Sequence, residues 1–139
     1  MLSYEAERLV ETLRDALRGR GDVRLALLFG SLARREGTAH SDIDIAVYAP
    51  GGDLLELAAE LSRHVDRELQ LISLDDPGVP LLEELLRDGV IIHEGAPGQA
   101  SAWRARTLSI LETDRPWYAR MRDAWLRRVA ERGLLDGQS

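Results

Sequence analysis

The 139-residue chain contains no cysteine, and its 18 basic residues are all arginine. Without cysteine there can be no disulfides, thiolate zinc sites or cysteine nucleophiles. Without lysine there can be no Walker-type loop, which needs a lysine on the phosphates. Long apolar runs are also missing, so no segment reads as a membrane span. Charges at Glu5, Glu7 and Arg8 interrupt any apolar stretch at the start, which argues against a signal peptide and for a cytoplasmic location. Aromatic residues make up only 5% of the chain, yet Trp103, Trp117, Tyr118 and Trp125 all fall after residue 96. Basic charge is scarce as well. The net charge is −6, and residues 96–139 hold eight arginines against five acids, which leaves residues 1–95 strongly acidic. Direct nucleic-acid binding is therefore disfavoured, because a phosphate backbone requires a broad basic face.

What is present reads as one domain over 1–139, with a core at 1–95 and a helical segment at 96–139. Ser3 is placed to cap a helix whose Ala6, Leu9, Val10, Leu13, Ala16 and Leu17 share one face, up to Gly19 and Gly21. The nearly unbroken apolar run from Val23 to Phe29 predicts a strand covered on both faces. Gly30-Ser31 ends it, and a brief helical turn with a polar loop leads to a second strand, Asp42 to Tyr48. Alternation there puts Ile43, Ile45 and Val47 on one face and Asp42, Asp44 and Ala46 on the other. Asp53 with Glu56 predicts a capped helix through Val65. A strand over 68–74, a helix from Pro80 to Arg87 and a short strand from Val90 to His93 follow. Beyond the Gly95–Gly98 break the pattern is helical from Ser101 to Arg132, with a division or kink expected at Asp114 and Pro116. The order predicts an α+β fold, a small mixed sheet of about four strands flanked by helices.

The chemistry-bearing segment runs from Leu25 to Tyr48. Glycine lets a backbone approach a phosphate closely, and a short helix starting right after it aims free N–H groups and a positive dipole end at that anion. Ser31 adds a hydroxyl, Arg34 a compensating charge, and Ser41 a further polar group beside the acids. Asp42 and Asp44, two residues apart on a strand, project together, as oxygen-seeking Mg²⁺ requires when it also binds phosphate.

The stretch "LLFGSLARREGTAHSDIDIAVY" resembles the minimal nucleotidyltransferases of the DNA polymerase beta-like superfamily, the MNT proteins paired with HEPN-domain toxins. The segment "ELQLISLDDPGVPLLEELLRDGVIIHE" is similar to that family's third strand, helix and last strand, so nearly the whole chain is covered. The resemblance implies that Gly30 and Ser31 hold the triphosphate of an ATP substrate, while Asp42 and Asp44 bind one or two Mg²⁺ ions. It further implies an antitoxin that transfers AMP to a tyrosine hydroxyl of its HEPN toxin.

One position departs from the pattern: the third carboxylate of the family falls at Gln70. An amide is a weaker ligand and cannot take a proton from the acceptor hydroxyl. Glu68, on the same strand face, is displaced by about 6.7 Å, two strand residues. Asp75 and Asp76 are further candidates if the turn bends inward. An alternative reading is accordingly an impaired enzyme that neutralises its toxin by binding. A small-molecule transferase, such as one modifying antibiotics, is a third, although only about 40 residues remain for its second domain.

Trp117, Met121 and Trp125 lie at i, i+4 and i+8 of the C-terminal helix. They either pack on the domain's own sheet or form an interface for homo- or hetero-oligomers. His40 precedes Ser41-Asp42 and reads as a loop residue, with contact to a phosphate or base as the alternative; His64 and His93 have no second ligand at metal spacing, and Ser31 has no histidine near it to make it a nucleophile.

Overall fold

A computed structural model describes residues 2–37, 41–128 and 130–131. Among them are four helices and a four-stranded mixed sheet of order β3-β2-β1-β4. The chain begins with α1 (Tyr4–Leu17), where the Ser3 hydroxyl accepts the Ala6 N–H at 3.1 Å. That cap satisfies one of the donors a helix start leaves orphaned.

β1 (Leu25–Phe29) is buried throughout, as its unbroken apolar run requires of a central strand. It pairs antiparallel with β2 (Ile43–Tyr48) on one side and with β4 (Val90–Glu94) on the other. α2 (Leu54–Ser62) carries the chain from β2 to β3 (Leu69–Ser73), which pairs parallel to β2. A parallel pair needs such a crossover. Asp53 caps α2 through the N–H groups of Leu55 and Glu56. The Glu56 carboxylate is engaged by Arg20 at 2.9 Å. α2 also stops three residues short of Val65.

α3 (Val79–Asp88) leads into β4, and α4 (Gln99–Arg128) follows as the last of these elements. α4 continues through Pro116 as one helix, so the expected division into two does not occur. An internal proline removes one hydrogen bond and costs about 3 kcal/mol, which the remaining turns of a 30-residue helix can carry. The expected end at Arg132 lies outside the described residues.

Two apolar clusters sandwich the sheet. α1 and α2 seal one face over Ile43, Ile45 and Val47. α3 and the first half of α4 cover part of the other, where Leu25, Leu27, Phe29 and Ala46 meet Leu82, Leu85, Trp103 and Leu111. This second cover stops short of the β3 edge: Gln70 is exposed and Ile72 is 40% exposed. No helix of the described residues is long and apolar enough to cross a membrane.

Candidate active site

The end of β1 meets the start of β2 on the partly covered face. Phe29 pairs with Asp44, so Gly30 follows directly beside that carboxylate. Gly30 has φ +80°, a left-handed value that glycine adopts without cost. A methyl group added there would overlap the Asp44 carboxylate, so both the backbone angle and the space demand glycine.

Residues 31–35 form a tight turn rather than the short helix expected. It is closed by Arg34 N–H to Gly30 O at 3.2 Å and Glu36 N–H to Ser31 O at 2.9 Å. Arg35 at φ +63° breaks the helical path there. The bond from Arg34 N–H to Gly30 O spans four residues, the spacing of a single helical turn. Ser31 is half-buried in it.

Asp42 is exposed and Asp44 half-buried. Burial pushes the Asp44 carboxyl above its ordinary range; the charges of Asp42 and Glu84 push the same way, and Arg34 opposes them. Arg34 donates to Glu36 at 2.9 Å and to Glu84 at 2.8 Å, which holds it beside the turn but already neutralised. An anion reaching Arg34 would have to displace those carboxylates from the guanidinium.

Gln70 lies directly across from Asp44 in the parallel β2–β3 register and is exposed. Glu68 sits one pleat earlier, with its carbonyl accepting the Ile43 N–H at 2.8 Å, and its side chain is exposed beside the start of β2. Asp75 and Asp76 are not brought to the site. They follow the far end of β3, beside Tyr48 and Trp103, because the parallel strand carries them away from Asp44. His40 lies outside the described residues. His93 contacts the Val23 carbonyl and His64 faces Glu60, so neither reaches the acids.

Two residues escaped the sequence reading. Glu84, on α3, joins the acidic site from 50 positions beyond Arg34. Its only local trace is its place beside the buried Leu85, on a helix that covers the face carrying the acids. Arg67 is mostly buried, donates to the Ser41 carbonyl at 3.3 Å and pairs with Glu5. It thereby ties α1 to the residue just before Asp42.

The donor set fits Mg²⁺. Asp42 and Asp44 share a strand face, Glu84 adds its charge to theirs, and burial together with those charges raises the Asp44 carboxyl. Mg²⁺ is commonly held by one or two carboxylates, with water and substrate phosphates completing its shell. Among the described residues no group of three or more carboxylate or imidazole side chains is placed to hold a metal ion by itself.

The family model described as polymerase beta, nucleotidyltransferase matches residues 11–97. A comparison with curated proteins gives no match. Among solved structures, a toxin–antitoxin complex with AMP-PNP aligns at TM-score 0.66 and 24% identity, covering 84% of this chain and 98% of that one. A mutant MntA-HpeT toxin–antitoxin aligns at TM-score 0.60 and 27% identity, covering 86% and 96%. A tri-AMPylated HEPN toxin of Shewanella oneidensis in complex with its MNT antitoxin aligns at 0.57 and 23%, covering 86% and 95%.

Proposed function

The chain belongs to the polymerase beta nucleotidyltransferase family, and from that premise we propose that it is an antitoxin enzyme, transferring AMP from ATP to a tyrosine hydroxyl of a partner HEPN toxin with release of pyrophosphate. The observation that carries this reading is the placement of Gly30 and its turn against Asp44, with Asp42 on the same strand face. The similar chains solved with AMP-PNP and with an AMPylated HEPN toxin support the nucleotide and the acceptor.

In this scheme the turn at Gly30-Ser31 receives the triphosphate, with Ser41 lining the approach to the acids. Arg34 leaves its carboxylates to meet the phosphate charge, and Asp42 and Asp44 would hold Mg²⁺. When bound, the metal supplies positive charge on the reacting phosphate and lowers the barrier to proton loss from the acceptor. The protein's own part is to position charge in a fixed frame. We read residues 1–95 as the catalytic core and 96–139 as a helical segment attached to it.

Gln70 favours a second reading. Standing beside Asp44 where the resemblance places a third carboxylate, it cannot accept the acceptor's proton, and a chain so limited would neutralise its toxin by binding alone. Glu68 is displaced from that position along the strand.

One experiment separates the two. The protein is incubated with ATP, Mg²⁺ and a HEPN-domain toxin, and the toxin is then weighed and assayed. Mass gained in AMP steps is the expected result. Toxin that is inhibited but unmodified selects the binding role, and toxin left active and unmodified removes both.

A further inference from the structure

Asp42 stands just outside the sheet that positions its partner. Asp44 is paired on both sides, with Phe29 of β1 and Gln70 of β3. The two ladders of β2 begin at Asp44 and at Ile43, so Asp42 belongs to neither. The direction of its carboxylate therefore rests on what fixes the backbone on either side of it.

Both neighbours of Asp42 are gripped from the segment that leads into β3. The Glu68 carbonyl accepts the Ile43 N–H at 2.8 Å. One residue earlier, the Arg67 guanidinium donates to the Ser41 carbonyl at 3.3 Å. Its other terminal nitrogen pairs with Glu5, in the first turn of α1. The first grip is backbone to backbone, so any residue at position 68 would make it. The second needs a long side chain with a forked set of donors, which arginine alone provides.

Packing does not force this arrangement. The Arg67 side chain is 9% exposed, yet it borders a cavity of about 500 Å³ that it shares with Glu5, Arg8 and His64. Turned inward, the charge forgoes water that lies within reach, and such a charge stays buried only when it is paired and hydrogen-bonded. Its bonds to Glu5 and Ser41, rather than lack of room, therefore set its direction.

We propose that Arg67 is a positioning residue for the metal pair: by holding the Ser41 carbonyl, braced by Glu5 from α1, it fixes the backbone before Asp42 and sets that carboxylate beside Asp44. It touches neither metal nor nucleotide. Without it, Asp42 must be ordered at the moment the ion arrives, and that entropy is subtracted from metal binding. This rests on the nucleotidyltransferase reading above, in which Asp42 and Asp44 hold Mg²⁺.

The test is calorimetric titration of AMP-PNP into the full chain, once with Mg²⁺ and once with a chelator, and the readout is the factor by which Mg²⁺ tightens binding. Arg67→Met should reduce that factor about tenfold, the range found when residues that orient metal ligands are removed. Its affinity for AMP-PNP in chelator should stay within about twofold of wild type. Arg67→Lys should recover part of the loss, because one ammonium can hold the Ser41 carbonyl without also reaching Glu5. Arg63→Ala, which removes an exposed guanidinium lining the same cavity, should leave the factor unchanged. A lowered melting midpoint in Arg67→Met with the Mg²⁺ factor intact makes the residue structural and overturns the proposal. Equal losses of affinity with and without Mg²⁺ overturn it as well. Where Arg67→Met does not fold, Glu5→Ala decides: a factor reduced about threefold keeps the proposal, and an unchanged one overturns it. No toxin enters the assay, so failure of AMP transfer to a toxin leaves this result standing. A wild-type chain whose AMP-PNP affinity ignores Mg²⁺ overturns the role of Arg67 together with the metal reading.

Discussion

The two faces of the sheet come from the same alternating strand and have opposite fates. On β2, Ile43, Ile45 and Val47 lie under α1 and α2 and are at most 1% exposed. One residue out of phase, Asp42 and Asp44 turn toward the face that α3 and α4 leave partly uncovered, where Gln70 and Ile72 are exposed on the neighbouring strand. The closed face supplies the burial that holds the sheet together. The open face carries like charges that oppose one another and would gain from a cation. Stability and chemistry are thus separated by a single pleat.

The largest break in this contrast should come from Asp44→Asn, which keeps the shape and removes the charge. AMP transfer to the toxin should fall at least about 1000-fold, read by mass spectrometry of the acceptor. The same variant sharpens the comparison in thermal melts without metal. The Asp44 carboxyl is raised above its unfolded range, so its stabilising contribution belongs to acid pH and is lost as pH rises through the folded value. At neutral pH the ionised group costs stability, and the asparagine variant should melt at or above the wild type. Mg²⁺ with AMP-PNP should raise the midpoint of the wild type and leave that of the variant unmoved.

On the closed face, Ile45→Ala should cost about 2–5 kcal/mol in urea unfolding, through lost burial and the cavity left behind. Gly30→Ala comes next. A left-handed backbone and overlap with Asp44 together should cost about 1–3 kcal/mol, and the melting shift produced by AMP-PNP should shrink. The smallest effect is a gain. Gln70→Glu restores a proton acceptor beside Asp44 and should raise the transfer rate about tenfold, with a new acid limb in the pH–rate profile. An unchanged rate would mean that no group at this position takes the proton.

Much of the site was legible before folding because its parts are local. Gly30-Ser31 follows a strand, and Asp42 and Asp44 share a strand face by alternation alone, so neither needed knowledge of distant residues. The short helix expected after Ser31 closes instead as a single turn, because Arg35 adopts a left-handed angle that its residue type does not announce. Glu84 and Arg67 were invisible for a different reason. Each is an ordinary charged residue on its own element, and each gains its role only when packing brings it to Arg34 or to Ser41.

The C-terminal helix shows the same division. Its periodicity revealed that Trp117, Met121 and Trp125 align, but left open whether the sheet or a partner covers them. Folding excluded the sheet, because the chain's own core ends at Leu111 and the stripe continues past it.

The sequence by itself determined the elements, their caps, the alternation of β2 and the spacing of the acids. These depend on interactions within a few residues, where periodicity and turn chemistry act directly. Only the tertiary structure decided which face of the sheet stays open, which distant carboxylate holds Arg34 and how much of α4 the core covers. Those are outcomes of packing between elements far apart along the chain, which no local pattern encodes.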